Sequence, residues 1–335
     1  MLLLLAIISS SYAAVRLPVD ILQSPREESN LVLQATLWTI APRAGPVPVS
    51  VSLRQDNGIV GISGYGDGRY DHTDAVFGFL GDDATAHNVS ISQVICLQEE
   101  LPGNETGVAS AIIGIGHRSA LLRSMNSVDF IRDRDEPESR GFLLLNESEA
   151  TFASENCYEG EVRHIPFALA PFTVSGQILD AVWQLDVIEP SSGAVTTHGA
   201  FGYDADSRLH LTTGRMVGVG FPFSVFSTIH SRISSLTAIA GANIDGRYTL
   251  HFENCTAVRA ALPDIGLNIY NRTGSPIGQI LFTPLEYTRL VDGDRCRLLA
   301  NPASGGSDAF EIDPFQLDGI NIRFNRTHVS FCDAL

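Results

Sequence analysis

Apolar positions alternate with polar ones, or run together over strand length, along the whole chain: "LVLQATLWTI", "VPVSVSL", "ASAIIGIG", "GFLLLN", "VWQLDVI", "YTLHF", "IGLNIY" and "INIRF". Clusters rich in Gly, Pro, Asn and Asp, such as "APRAGPVP", "DNG" and "NPASGGSD", separate them and read as turns. Helical spacing is confined to two short pieces, Ser119 to Met125 and Pro222 to Ile233. In the second, Pro stands at the helix start, and the pattern predicts that Phe223, Phe226 and Ile229 are buried. There is no internal repeat of short fixed period. Many short strands with few helices predict an all-β sandwich or barrel-like architecture.

With 335 residues, 44% of them hydrophobic, the chain can bury one large β core or two smaller ones. The formal charge of -16 is built from 38 acidic and 22 basic residues, and all of the basic ones are Arg. Such a surface repels phosphate backbones and anionic lipid, so neither a nucleic acid nor a membrane surface is expected as partner. Without Lys, a lysine Schiff base and a P-loop are both excluded.

The opening "MLLLLAII", followed by small residues, reads as a signal peptide cut after Ala13, and a buried first strand is the competing reading. No later stretch is long and apolar enough for an anchor, so the expected location is extracellular. Six Asn-x-Ser/Thr sequons fit secretion: Asn88, Asn104, Asn146, Asn254, Asn271 and Asn325. So do five cysteines, Cys96, Cys157, Cys255, Cys296 and Cys332, none in the C-x-x-C spacing of a zinc site.

Candidate catalytic chemistry is sparse. In "DGRYDHTD", Asp67, Asp71, His72 and Asp74 lie close together, but the spacing matches no ligand pattern and suits an acidic hairpin tip. There is no G-x-S-x-G elbow and no His-Glu-x-x-His helix. No cofactor and no metal are expected.

Several segments, taken in order, are similar to pepsin-like aspartic peptidases. "LHLTTGRMVGVGFPFSVFSTI", Leu209 to Ile229, has the family outline of apolar strand, Thr-Gly turn, apolar exit and Pro-initiated helix. "AIIGIGHRSALL" resembles the strand ending Gly-x-Gly before a short helix, and "YGDG" resembles the flap tip. "YEGEVRHIPF", "VWQLDVI", "DGRYTLHFENC" with "LPDIGLNI", and "FQLDGINIRFNRTHVSF" continue the likeness towards the C-terminus. The resemblance implies a bilobal pepsin-like fold: a signal peptide over 1–13, a first lobe with flap over 14–168, and a second lobe over 169–335. The closing strands then return to the interlobe sheet. It also implies a Cys255–Cys296 disulfide, a second between Cys157 and Cys332, and a free Cys96.

Both catalytic positions depart from the family. The second aspartate is replaced by Thr212, ahead of Thr213 and Gly214. In the first loop, counting Pro48, Val49, Val51 and Leu53 places Arg54 at the aspartate position, while a shifted reading would use Asp56 instead. Peptidases of this kind need two close carboxylates sharing one proton. A threonine hydroxyl is no base near neutral or acid pH, and a guanidinium only donates. Little sequence separates the signal cut from "RLPVDI", which resembles the mature start of the family's enzymes, so no shielding prosegment is expected.

The expectation is therefore a secreted, glycosylated pseudopeptidase, a monomer, that binds an unidentified protein or peptide. The binding cleft would include Tyr65, Gly66 and Asp67 of the flap with Thr213 and Gly214. The alternatives are an inhibitor of a foreign hydrolase and a residual acid endopeptidase.

Overall fold

The computed structural model describes residues 15–23, 31–41, 45–53, 71–80, 86–96, 111–116, 119–132, 140–146, 163–166, 176–200, 208–212, 218–244, 247–303, 309–315, 317 and 320–333. The first half of the chain supplies β1 (Val15–Gln23), β2 (Leu31–Ala41), β3 (Gly45–Ser52), β4 (Asp71–Leu80), β5 (Ala86–Cys96), β6 (Ala111–Gly114), β7 (Ser127–Arg132), β8 (Arg140–Asn146) and β9 (Arg163–Pro166). The second half begins with β10 (Gly176–Leu179), β11 (Val182–Ile188), β12 (Val195–Ala200), β13 (Leu209–Thr212), β14 (Val219–Phe221), β15 (Ile239–Ile244), β16 (Arg247–Phe252) and β17 (Asp264–Tyr270). It ends with β18 (Pro276–Phe282), β19 (Thr288–Asp292), β20 (Arg295–Leu298), β21 (Ala300–Pro302), β22 (Phe310–Ile312), β23 (Ile320–Asn325) and β24 (His328–Asp333).

One large sheet has the order β5-β4-β2-β1-β8-β7-β23-β24-β9, with β3 on β2 and β6 on β3. Its last six strands read symmetrically about the antiparallel β7–β23 pair: β8 and β24 flank that pair, and β1 and β9 lie outside them. The other described sheets are β10-β13-β22-β14-β21, β12-β11-β17-β18 and β15-β16-β20-β19. Sequence alternation survives into the structure where one face is covered: β11 alternates partly and fully buried residues from end to end.

At the centre of the large sheet Arg323 stands opposite Asp129 and donates from Nε to Oδ1 at 2.6 Å. Burial pushes the Asp129 carboxyl from its ordinary 3.8 up to about 6, against the pull of Arg323. Between those two pH values the folded protein keeps a proton that the unfolded chain has released. The stabilisation from this group is thus full below about pH 4 and is lost as pH rises through 6, about 3 kcal/mol in all. Asp129→Asn lacks the titration, so its stability should gain about 3 kcal/mol on the wild type between pH 4 and pH 7. Urea unfolding of both proteins at the two pH values measures this. A difference that does not change with pH would contradict it.

Three helices are described: α1 (Ala120–Ser124), α2 (Phe223–Leu236) and α3 (Cys255–Ala261). The Oγ of Ser119 accepts from Leu122 N at 3.2 Å and caps α1. Helix α2 follows Pro222 and buries Val225, Phe226, Ile229 and Ile233. Phe223, which the spacing predicts to be buried, does not join them and is 64% exposed. It lies about 120° round the helix from Ile229, off the apolar stripe. Helix α3 was not expected. Asn254 enters it with a left-handed φ of 55°, and Asp294 accepts from Thr256 N at its first turn.

The core is continuous from Leu17 and Val19 in β1 to Val329 and Phe331 in β24. In the second half it centres on an aromatic group in which Phe310 meets Trp183, Phe221 and Phe282 at ring distances of 5.5, 5.6 and 5.9 Å. The Cys255–Cys296 disulfide ties the start of α3 to β20 with a Cα–Cα distance of 5.2 Å.

Candidate functional site

Parallel strand pairs occur in both halves, β14 beside β21 among them. In the first, β3 runs beside β6 with Val49 opposite Ala111, Val51 opposite Ile113 and Ser52 opposite Gly114. In the second, β13 runs beside β22 with Leu209 opposite Phe310, His210 opposite Glu311 and Leu211 opposite Ile312. β10 closes the other edge of β13, setting Gly176 against Thr212. Residues 54–70, beyond β3, and 213–217, beyond β13, lie outside the described residues.

The second of these strands is buried throughout. Leu209 and Leu211 carry its apolar face, and His210 and Thr212, two residues apart, share the opposite one. His210 is 8% and Thr212 7% exposed. His210 Nε2 and Thr212 Oγ1 are buried and have no hydrogen-bond partner among the described residues. Burial holds the His210 pKa below its usual value, and Arg208 adds to that, while Glu311 opposes it. Beyond β22, the Asp313 amide donates to the Gly218 carbonyl at 2.7 Å, and its Oδ1 accepts from Phe315 N at 3.2 Å. Gly218, at φ +103°, has no space for a side chain, since a Cβ there would stand 2.7 Å from the Leu299 carbonyl oxygen. In the first half Val51, Leu53 and Ile115 are buried.

Of the residues singled out from sequence, Thr212 is placed at the end of β13. Arg54, Asp56, Tyr65, Gly66, Asp67, Thr213 and Gly214 lie outside the described residues, as do Cys157 and Asn104. Cys96 ends β5 and Cys332 stands opposite Asn321 in β24. Asn88 lies in β5 and Asn146 ends β8. Asn254 is exposed before α3. Asn271 folds over the turn after β17, its Oδ1 accepting from Thr273 N and Ser275 N at 3.0 and 2.9 Å. The fold argues against a glycan at Asn325. That side chain is 4% exposed, its Oδ1 accepts from Thr327 N and His328 N, and its Nδ2 lies 2.9 Å from a His328 ring nitrogen. Among the described residues no group of His, Cys, Asp and Glu could hold a metal ion. Nor is any described helix long and apolar enough to cross a membrane.

The sequence pattern did not disclose the buried polar residues His210, Glu311, Asp313 and Asp129, the last with its partly buried partner Arg323. The one available signal was a His and a Glu inside otherwise apolar strands, at "LHLT" and "FEI".

No protein-family model and no curated protein sequence matches the chain. Solved structures do match. Basic 7S globulin from soybean superposes with a TM-score of 0.61 at 14% identity, over 96% of this chain and 96% of that one. Conglutin gamma, a unique basic 7S globulin from lupine seeds, does so with a TM-score of 0.60 at 11% identity, over 96% and 95%. The fold is pepsin-like. Strand β13 ends on Thr212, a neutral hydroxyl.

Proposed function

We propose that this is a secreted, glycosylated pepsin-fold pseudopeptidase that binds a protein or peptide, in the cleft between its lobes or on its surface loops, and does not hydrolyse it. The observation that carries the reading is Thr212, buried at the end of a strand whose register to β22 is defined, in the place where the resemblance puts a catalytic aspartate. A hydroxyl with a pKa far above neutrality cannot share a proton with a second group in the way a carboxylate dyad does. Both structural neighbours are named as globulins rather than as peptidases, which fits this reading.

The purified protein should therefore leave an unfolded protein substrate intact between about pH 2 and 6, the range in which such dyads operate. Turnover that a pepstatin-type inhibitor abolishes would refute the proposal. Capture of secreted partners by the immobilised protein tests the binding half of it.

A further inference from the structure

We propose that the solvent-facing side of the β12-β11-β17-β18 sheet is a carbohydrate-binding surface that takes a neutral, hydroxyl-rich sugar chain. The proposal stands apart from the pseudopeptidase reading, because none of its residues belongs to β13 or to the candidate cleft.

Alternation divides this sheet into two faces. One carries Trp183, Leu185, Val187, Ile265, Leu267 and Ile269, each at most 2% exposed, and is core. The other is ordered in rows by the register of the strands. In one row Thr197, Asp186, Gly266 and Leu281 stand side by side, and in the next Gly199, Gln184, Asn268 and Gln279 do so. Gln184, Asp186 and Asn268 are half-buried, while Thr197 and Gln279 are exposed.

The polar groups of these rows hold one another in place. Thr197 Oγ1 donates to Asp186 Oδ1 at 2.8 Å, Asn268 Nδ2 to Asp186 Oδ2 at 2.7 Å, and Gln279 Nε2 to Asn268 Oδ1 at 2.8 Å. The chain of bonds crosses all four strands, about 14 Å at ordinary strand spacing. Gly266 makes room for it, since a Cβ there would stand 2.8 Å from Gln279 Nε2. Fixing solvated side chains in one rotamer costs entropy. Once fixed, they offer a ligand a prearranged set of donors and acceptors, which lowers the cost of binding. Each Asp186 oxygen keeps a lone pair and each amide nitrogen keeps an N–H beyond these bonds.

Apolar residues border the polar rows: Val195 beside Ile188 on one side, and Val182 beside Tyr270 on the other. Val195 is 56% exposed, and Leu281, within the first row, is 45% exposed. A sugar ring has the same mixed character, with hydroxyls round its edge and C–H groups on its faces. Its hydroxyls suit the amides and the carboxylate, and its C–H faces suit Tyr270 and Leu281. A phosphate or sulfate is disfavoured, because neither row holds a cation and the chain carries a formal charge of -16. A peptide taken up by strand addition would lie along the β12 or β18 edge, not across the rows.

Affinity electrophoresis of the whole purified protein tests this, in gels containing hydroxyethyl cellulose, arabinoxylan, laminarin or galactomannan, with the polycation glycol chitosan as a fifth matrix. Retardation by at least one of the four neutral polymers is expected. Asn268→Ala and Gln279→Ala should each weaken it about tenfold, the loss of one or two neutral hydrogen bonds. Gly266→Ala keeps charge and apolar area but displaces the Gln279 amide, and should weaken it similarly. Unchanged thermal midpoints establish that the variants fold, and if Gly266→Ala does not, the exposed Gln279→Ala decides. Retardation by none of the neutral polymers overturns the proposal, as does retardation that the folded variants leave unchanged. Retardation by glycol chitosan alone would show the carboxylates acting as bare charge and overturns it too. None of these outcomes bears on whether the protein cleaves peptides.

Discussion

Phe310→Ala is expected to lower the stability of the protein by about 3–5 kcal/mol. Phe310 is fully buried and sits in β22, paired in parallel with β13 and antiparallel with β14. Its ring touches those of Trp183, Phe221 and Phe282. Truncation removes the transfer free energy of the ring, leaves a cavity that strands paired on both sides cannot close, and ends three aromatic contacts worth about 0.5–1.5 kcal/mol each. Denaturant unfolding followed by circular dichroism measures the loss, with an unchanged denaturant slope. Phe223→Ala is the control. With that side chain 64% exposed, it should change stability by about 0.5 kcal/mol or less. Equal costs for the two variants would mean that the aromatic group is not the centre of the second half.

Removing the Cys255–Cys296 disulfide should cost about 4 kcal/mol, because the bond closes a loop spanning 41 residues and restricts the unfolded chain accordingly. The double variant Cys255→Ser, Cys296→Ser isolates this effect. Since native domains are stable by about 5–15 kcal/mol in total, the variant should be marginal at body temperature. A loss below about 1 kcal/mol would show that the unfolded chain is restricted there by something else. The same bond fixes the start of α3, so amide exchange in residues 255–261 should rise in the variant before it rises in β11 or β17.

Strand β11 was legible from "VWQLDVI" because one face is buried and the period of two is strong. Helix α1 was legible from its Ser cap and its compact apolar run. Helix α3 was not, since seven residues are fewer than two full turns and give no periodicity to read. Phe223 was misplaced for a related reason. A hydrophobic residue in the first turn satisfies the composition of an apolar stripe without lying on it. Strand β3 illustrates a deeper limit. Alternation determines which face a strand residue occupies but is blind to shifts of two residues, and β3 takes its register from its pairing with β2 and β6. The Asp129–Arg323 pair was invisible for another reason. Its members are separated by 194 residues, and nothing local to either marks the other.

That separation also governs the order in which the molecule can be assembled. β7 receives β23 along its edge, and β9 receives β24, so both edges must wait for strands that are synthesised late. While a nascent chain has emerged only as far as the second half, the first half exposes rows of unpaired amide and carbonyl groups beside apolar side chains such as Val128 and Phe130. Open edges of that kind pair readily with other chains. Closure across so long a stretch is also slow compared with local hairpin formation. The chain is thus most prone to intermolecular association during the interval between emergence of β9 and docking of β23, a vulnerability of biosynthesis that the finished sheet conceals.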